Sequence, residues 1–209
     1  MNAGGVGITI DTGATGNATA PRGNHFMFLD GPAGNHSGYF DLNLDTDEDN
    51  RNDQLCVDFI FDTPVDGLQF SFLDIDSGGW DDGVEIQFTS TTGGGDVRDD
   101  PSIYTLPTGP TTVFLDNEAN VHGFEGGAGN AGANDVFGNL DLDFTGHSVT
   151  SISIKFFSTD DAPANPGAQF IGLSDFQFTA APEPSSFLLL LTGIGGIGLH
   201  RPRRRRTLG

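Results

Sequence analysis

The chain has little positive charge, and most of that charge is confined to one end. Its 209 residues include 29 Asp and Glu but only nine Lys and Arg, for a formal net charge of −20. Residues 1–181 hold 28 acidic and only four basic side chains. A body this acidic repels phosphate backbones, which excludes nucleic acid as a partner. The other five basic residues fall within the last nine positions, at Arg201, Arg203, Arg204, Arg205 and Arg206.

Cysteine is almost absent, and histidine follows no ligand pattern. The single cysteine, Cys56, excludes a disulfide framework within the chain. It lies in the strand-like run from Leu55 to Phe61, which predicts a buried apolar thiol rather than a nucleophile. The five histidines lack the spacing of zinc ligands, and this argues against a zinc site.

Long runs with helical periodicity are missing between residues 1 and 180. Short segments with alternating apolar and polar residues recur instead, separated by stretches rich in Gly, Asn, Asp and Pro. They are residues 25–29, 39–44, 57–61, 67–73, 84–88, 112–115, 140–144, 151–157 and 170–178. Alternation places the apolar side chains on one face of each strand. We therefore predict that residues 1–180 form one all-β domain, an antiparallel jelly-roll-like β-sandwich.

The C-terminus contains three consecutive blocks of different composition. Residues 181–186 form a Pro-rich linker, residues 187–199 are uncharged and almost wholly apolar, and the arginine cluster follows. As a helix the 13 apolar residues would extend ~20 Å, less than the ~30 Å hydrocarbon core of a bilayer. On length alone, a short core helix with a disordered basic tail is the alternative.

Glycine and arginine favour the membrane interpretation of this block. Four glycines, at positions 193, 195, 196 and 198, would each weaken a soluble helix by up to ~1 kcal/mol, whereas membrane helices tolerate them. The arginine side chains can extend to the interface and stop the helix there. We predict that residues 187–206 are a short hydrophobic helix that spans the membrane and ends in the arginine cluster.

This tail closely resembles the PEP-CTERM sorting signal of bacterial exported proteins. Its motif corresponds to Pro182, Glu183 and Pro184, and the apolar span and arginine cluster follow in the same order. The resemblance covers about residues 181–206. It implies recognition and cleavage by an exosortase-type membrane transpeptidase, and then release to the cell surface or to an exopolysaccharide or biofilm matrix. Met1 to Asp11 lacks the features of a secretory signal peptide. We expect that such a segment is missing from the sequence, and the alternative is export by a route other than the usual secretory one.

The densest acidic run is residues 45–53. Asp45, Asp47 and Asp49 alternate as the first ligands of a calcium loop do. The EF-hand pattern then fails, because Asn50 stands where that loop needs glycine and Cys56 stands where it needs glutamate. The run remains a candidate for a looser Ca²⁺ site, and the alternative is a solvated acidic loop.

A second acidic group surrounds a glycine turn. Asp74 and Asp76 follow a predicted strand, and Asp81 and Asp82 precede the next one, with Gly78, Gly79 and Trp80 between them. Four carboxylates around one hairpin repel one another, and Ca²⁺ would relieve this repulsion. The segment also looks like one found in extracellular bacterial β-sandwich domains, although less closely than the tail resembles its signal. We predict a calcium site here, with a polar hairpin whose Asp side chains cap turns as the alternative.

The sequence gives little support for an enzyme. No serine lies in a Gly-x-Ser-x-Gly context, and an Asp-rich chain offers many accidental carboxylate pairs. We expect an exported, non-enzymatic surface or matrix protein stabilised by calcium. The alternative is a calcium-dependent carbohydrate-binding module. Trp80, Tyr39 and Tyr104 are candidate sugar-stacking residues, although core packing is the commoner role for each. A glycoside hydrolase is a third class.

Overall fold

The computed structural model describes residues 2–3, 5–15, 26–29, 39–43, 54–108, 112–116, 122–127, 129–131, 135–159, 162 and 169–182. Over these residues the fold is all-β, with one 3-10 turn at Val97–Asp99 and no α-helix. The strands are β1 (Asn2–Ala3), β2 (Val6–Thr15), β3 (Phe26–Leu29), β4 (Tyr39–Asn43), β5 (Gln54–Leu73), β6 (Asp82–Ser90), β7 (Gly93–Asp96), β8 (Tyr104–Thr105), β9 (Val113–Leu115), β10 (Phe124–Gly126), β11 (Leu140–Asp143), β12 (Val149–Ser158), β13 (Phe170–Leu173) and β14 (Gln177–Ala180).

The strands form one curled antiparallel sheet. Its main path runs in the order β3, β4, β13, β5, β12, β6, β10, β9. The remaining strands attach to this path: β2, β11 and β14 pair with β5, β7 pairs with β6, β1 pairs with β2, and β8 pairs with β11. Among the described strands β9 pairs with β10 alone, and it therefore forms one edge of the sheet.

The long strand β5 belongs to both halves of the curled sheet. Its first half lies between β2 and β12, where Val57 faces Thr12 on one side and Ile154 on the other. Its second half lies between β11 and β14. Gly67 separates the two halves and has a φ of 61°, a conformation that favours glycine. The strand can therefore leave one set of partners and join another.

Phenylalanine side chains connect the two halves of the sheet through one core. The ring of Phe176, between β13 and β14, lies 4.8 Å from that of Phe59 and 4.5 Å from that of Phe70, centroid to centroid. Phe144 contacts both Phe70 and Phe88 in the same way, at 6.2 and 5.4 Å. Burial of each such ring stabilises the fold by about 1.5–3 kcal/mol. Contacts between these aromatic side chains therefore stabilise the packing of the two halves of the curled sheet against each other.

The predicted all-β class is confirmed, but several strand limits differ from the prediction. The segments 57–61 and 67–73 are parts of one strand, β5, and the segment 170–178 is divided into β13 and β14. The hairpin predicted around Gly78 and Gly79 does not join two paired strands, because β12 lies between the first half of β5 and β6. Residues 74–81 connect the end of β5, which pairs with β11 and β13, to the start of β6, which pairs with β12.

The position predicted for Cys56 is also wrong. Leu55 and Val57 take the inward positions of β5, and the alternation places Cys56 half-buried on the outward face. Its neighbours across the strand pairs are Gly13 and Lys155. Partial burial raises the pKa of the Cys56 thiol, despite the opposing charge of Lys155. A raised pKa keeps the thiol protonated, which agrees with the prediction that it is not a nucleophile.

Several predicted features lie outside the described residues. They are the acidic run with Asp45, Asp47 and Asp49, the motif residues Glu183 and Pro184, and the hydrophobic span and arginine cluster of residues 187–206. Pro182 is described and exposed, and the preceding Ala181 donates its N–H to the carbonyl oxygen of Pro64 at 2.8 Å. The described ranges contain no helix of the length and hydropathy needed to cross a bilayer.

Candidate metal centre and adjoining groove

The connection between β5 and β6 brings four aspartates together. Asp74 directly follows β5 and has a φ of 69°, which turns the chain away from the sheet. An isolated bridge between Ser77 and Asp81 then closes a tight turn. The N–H of Asp82 donates to the carbonyl oxygen of Asp76 at 3.0 Å, and the N–H of Asp76 donates to Oδ2 of Asp82 at 3.2 Å. The turn therefore returns Asp82 to the side of Asp76.

Loops from other parts of the chain hold this connection in place. Ile75 donates its N–H to the carbonyl oxygen of Gly138 at 2.9 Å, and it accepts a hydrogen bond from Oγ1 of Thr112 at 2.8 Å. The N–H of Ala131 donates to Oδ2 of Asp76 at 2.6 Å. Three segments distant in sequence therefore fix the position of residues 75 and 76.

Gly126, the last residue of β10, allows the connection to approach this closely. A Cβ atom at position 126 would lie 2.2 Å from the carbonyl oxygen of Asp76 and 2.3 Å from its carbonyl carbon. Such contacts are far shorter than van der Waals distances, and backbone atoms cannot move aside as a flexible side chain can. Only glycine therefore lets β10 lie against the backbone of Asp76.

Three of the four aspartates are almost fully buried. Asp82 is 1% exposed, Asp76 is 3% exposed and Asp81 is 6% exposed, while Asp74 is half-buried. Burial of an ionised carboxylate costs several kcal/mol unless a counter-charge and hydrogen bonds compensate for the lost hydration.

The electrostatic environment of Asp82 is strongly negative. Burial raises the pKa of Asp82 well above its usual range, and the charges of Asp76, Asp74 and Asp81 raise it further. The hydrogen bond from the N–H of Asp76 lowers it. No basic side chain contributes to this balance, so the carboxylate lacks a counter-charge among the described residues.

The neighbouring carboxyl groups respond in the same direction. Burial raises the pKa of Asp74 to about 6, and repulsion from Asp76 and Asp135 adds to the shift. Burial also raises the pKa of Asp76, although two hydrogen bonds oppose the change. Those bonds come from the N–H of Ala131 and from Nε1 of Trp80, the latter to Oδ1 at 2.8 Å.

One buried oxygen of the cluster has no hydrogen-bond partner within the described structure. Oδ2 of Asp82 accepts the N–H of Asp76, but Oδ1 of Asp82 is buried and accepts no hydrogen bond there. Such an atom is costly in the interior. A hard cation with oxygen ligands, such as Ca²⁺, would supply both the missing partner and the missing charge. The oxygens of Asp76 each accept one hydrogen bond and keep a second lone pair for a metal.

The structure places all four aspartates of the second predicted group on this connection, where the charges of Asp74, Asp76 and Asp81 act on Asp82. Their carboxylate oxygens are not among the ligand atoms that lie within 4.8 Å of one another in the described residues, so a bound cation would have to draw them closer. The structure also adds Asp135, whose charge acts on Asp74, and the N–H of Ala131. Sequence inspection missed both because they lie more than 50 positions further along the chain, in a Gly- and Asn-rich stretch with no ligand spacing.

A second cluster of metal-binding residue types consists of Asp96, Asp99 and His122. One ligand atom from each lies within 4.8 Å of the others. However, Nη1 of Arg98 lies 2.6 Å from Nδ1 of His122, and Nε2 of His122 lies 2.5 Å from Oδ1 of Asp99. Because arginine can only donate, Nδ1 accepts and Nε2 carries the proton given to Asp99. Both ring nitrogens are then engaged, which favours a hydrogen-bond network over a metal site.

An open groove of about 610 Å³ adjoins the aspartate cluster. Its lining comprises Ser77, Gly78, Trp80, Asp81, Phe114, Leu115, Glu125 and Gly127. Trp80 lies against Gly78, where an added Cβ would be 3.3 Å from two carbons of the indole ring. Phe114 lies similarly against Gly127. Glycine on each side thus leaves room for an aromatic ring in the wall of the groove.

Of the other candidate sugar-stacking residues, only Tyr104 has a described side chain. Its ring packs edge-on against the buried Phe124, with centroids 4.9 Å apart. Tyr104 is therefore a packing residue and does not line the groove. The side chain of Tyr39 lies outside the described part of the structure. When the chain is compared with known proteins, no family model and no curated protein sequence matches it.

Proposed function

We propose that this chain is an exported, non-enzymatic protein of the bacterial surface or exopolysaccharide matrix, and that a calcium ion bound by Asp74, Asp76, Asp81 and Asp82 stabilises its fold. The observation that supports the calcium site is the buried carboxylate of Asp82. Within the described part of the chain, one of its oxygens has no hydrogen-bond partner, the charges of three other carboxylates act on it, and no basic side chain contributes to its environment.

The role of calcium is structural in this proposal. Four ionised carboxylates repel one another, and a divalent cation at their centre converts the repulsion into attraction. Extracellular calcium modules commonly bind with Kd values of about 10⁻⁴–10⁻³ M, which suits a protein outside the cell. Residues 1–181 also carry many acidic side chains outside this cluster. Divalent cations could use them to bridge the protein to polyanions of the matrix.

The cellular location in this proposal is inferred from the C-terminal tail. Residues 187–206 form a short hydrophobic helix that anchors the protein in the membrane before processing. An exosortase-type transpeptidase then cleaves near Pro182, Glu183 and Pro184, where the two prolines keep the chain extended and accessible. In this proposal the curled sheet is a jelly-roll-like β-sandwich, and β5 passes from one of its two layers to the other at its bend. The exposure of Pro182 in the structure supports access to this motif.

Thermal unfolding tests the calcium part of the proposal. At a calcium concentration of 100 times Kd, binding to the folded state alone stabilises it by about 2.7 kcal/mol, or roughly 5–10 °C in Tm for a chain of this size. We expect this increase over the Tm in EDTA for the wild-type protein. Equal melting temperatures in calcium and in EDTA would contradict the proposal that calcium stabilises the fold.

Cell fractionation of a host that carries an exosortase tests the proposed location and processing of the chain. The wild-type chain, preceded by a functional signal peptide, should reach the surface or medium in a shortened form. A variant with Pro182, Glu183 and Pro184 all replaced by alanine should stay in the membrane fraction at full length. Replacing the exposed residues Thr179 and Ala180 with serine serves as the control. Release of the triple variant at the wild-type level would contradict sorting by this motif.

A further inference from the structure

We infer that the groove beside the aspartate cluster is a binding site for an uncharged, hydroxyl-rich glycan chain. The inference goes beyond a structural role for calcium. It rests on the proposed function only in that the surrounding matrix supplies the polysaccharide.

The groove combines the two kinds of surface that a sugar ring requires. A pyranose has apolar C–H faces and a rim of hydroxyl groups. Phe114 is 40% exposed and Leu115 is 38% exposed on the edge strand β9, and the half-buried Trp80 also lines the groove. Aromatic rings provide rigid apolar area that pays little conformational entropy on binding. These residues can therefore cover the C–H faces of a bound sugar.

Polar groups in the same groove match the hydroxyl groups. Glu125 lies on β10, directly across the strand pair from Phe114, and the residue is half-buried. Ser77 contributes a hydroxyl group to the same lining. Hydroxyl groups that donate to carboxylates form short, charge-assisted hydrogen bonds. The volume of about 610 Å³ lies within the ~300–1,000 Å³ range of small-molecule sites.

The charge of the lining determines which glycans fit. Glu125 is acidic, and none of the described residues that line the groove is basic. A uronic acid or sulfated polymer would bring further negative charge into this field and would be repelled. Neutral sugars gain the hydrogen bonds without this repulsion, so the geometry favours them.

Trp80 links the groove to the aspartate cluster, because its indole N–H donates to Oδ1 of Asp76. The orientation of the ring is therefore set by the same carboxylate that we assign to calcium. Among the described contacts Phe114 makes none with the four aspartates, and its ring lies against Gly127. Substitution of Phe114 can therefore separate glycan binding from metal binding.

The test is titration of the full chain with defined oligosaccharides in 2–10 mM calcium, a concentration chosen to exceed the Kd range of ~10⁻⁴–10⁻³ M. The probes are neutral gluco-, xylo- and manno-hexasaccharides, an oligoguluronate as the anionic probe, and an oligolysine peptide as a cationic probe. We expect at least one neutral hexasaccharide to bind with a Kd of 1 mM or lower. Phe114→Ala and Phe114→Leu should each weaken this binding at least tenfold, the second while preserving apolar bulk.

Ile60→Ala is the matched control, because Ile60 is also an exposed apolar strand residue but lies outside the groove. It should bind the neutral sugar as the wild type does. Absence of binding to every neutral probe, binding of the anionic or cationic probe alone, or unchanged affinity in both Phe114 variants would each overturn the inference. The increase in Tm with calcium, measured on the same Phe114 variants, should persist. If calcium did not raise the Tm of the wild-type protein, that result would instead refute the proposed calcium site.

Discussion

The indole N–H of Trp80 donates a hydrogen bond to Oδ1 of Asp76 at 2.8 Å. Asp76 belongs to the buried aspartate cluster, whereas Trp80 lines the open groove. A single hydrogen bond therefore connects an interior group of negative charges with a surface that can contact a ligand. We therefore expect substitutions at Asp76 to affect the position of the Trp80 ring in the groove.

Trp80→Phe tests this connection because it removes the N–H donor and keeps an aromatic ring. A hydrogen bond to a charged group contributes about 1.5–3 kcal/mol, and we expect a loss of about 1–2 kcal/mol in the free energy of unfolding. Urea denaturation in EDTA measures this loss. A double-mutant cycle with Asp76→Ala, which removes the acceptor, should give a coupling energy of about 1 kcal/mol between the two positions. Additive effects would show that the bond does not connect them.

Asp82→Asn tests the cost of the buried charge. The amide oxygen can still accept the N–H of Asp76, and the amide N–H groups can donate to the surrounding carboxylates. We therefore expect the calcium-free protein to gain about 1–3 kcal/mol of stability, in the range set by the cost of an unsatisfied buried group. The same variant should lose the increase in Tm with calcium.

The control for this substitution is Asp175→Asn, which removes the same charge from an exposed position. It should change neither the stability in EDTA by more than about 0.5 kcal/mol nor the response to calcium. If Asp82→Asn destabilised the calcium-free protein and left the calcium response intact, Asp82 would be an ordinary hydrogen-bonding residue.

The raised pKa values predict an unusual dependence of stability on pH. Asp74 has an ordinary pKa of 3.8 and a pKa of about 6 in the folded state, so the folded protein binds more protons than the unfolded chain between these values. Its contribution to stability therefore decreases as the pH rises from about 4 to about 6. Burial shifts Asp82 in the same direction.

Melting temperatures in EDTA should accordingly be higher at pH 5 than at pH 7.5. Calcium should raise the Tm more at pH 7.5, because protons compete for the carboxylates at pH 5. Asp74→Asn should reduce the slope between pH 4 and pH 6, whereas Asp175→Asn should preserve it and thereby controls for overall charge. A Tm in EDTA that rises between pH 5 and pH 7.5 would contradict the assignment of raised pKa values.

Gly126→Ala tests the close approach of β10 to the connection that carries Asp76. Its Cβ would collide with the backbone of Asp76, and we expect a loss of at least 2 kcal/mol together with a weaker calcium response. Gly79→Ala is the control, because a Cβ at position 79 of the same connection meets no atom within 4 Å. Equal effects of the two substitutions on Tm would argue that the packing against Asp76 is unimportant.

Local alternation in the sequence predicted the fold class because each strand carries its own pattern. The run 84–88 and the run 151–157 both lie within observed strands, β6 and β12. Alternation alone could not show that residues 57–61 and 67–73 are one strand, because the bend at Gly67 resembles a turn. Nor could it show that β12 separates β5 from β6, since this order depends on packing across the whole chain.

The candidate site was only partly accessible from the sequence for a related reason. Four aspartates lie within nine positions, so their local density predicted a cluster. The contributions of Ala131, Gly126 and Asp135 depend on contacts across about 50 residues or more and have no local signal. The groove was missed because Phe114 and Glu125 meet Trp80 only after β9 and β10 have paired beside β6.

The most direct test of the central claim is a crystal structure of the protein grown in calcium. We predict a single strong peak bonded to Oδ1 of Asp82, with oxygen ligands from Asp74, Asp76 and Asp81 at about 2.3–2.6 Å. In the same crystal grown with EDTA the peak should be absent. A calcium-saturated crystal with no ion beside Asp82, or with that oxygen hydrogen-bonded to a protein group instead, would contradict the account.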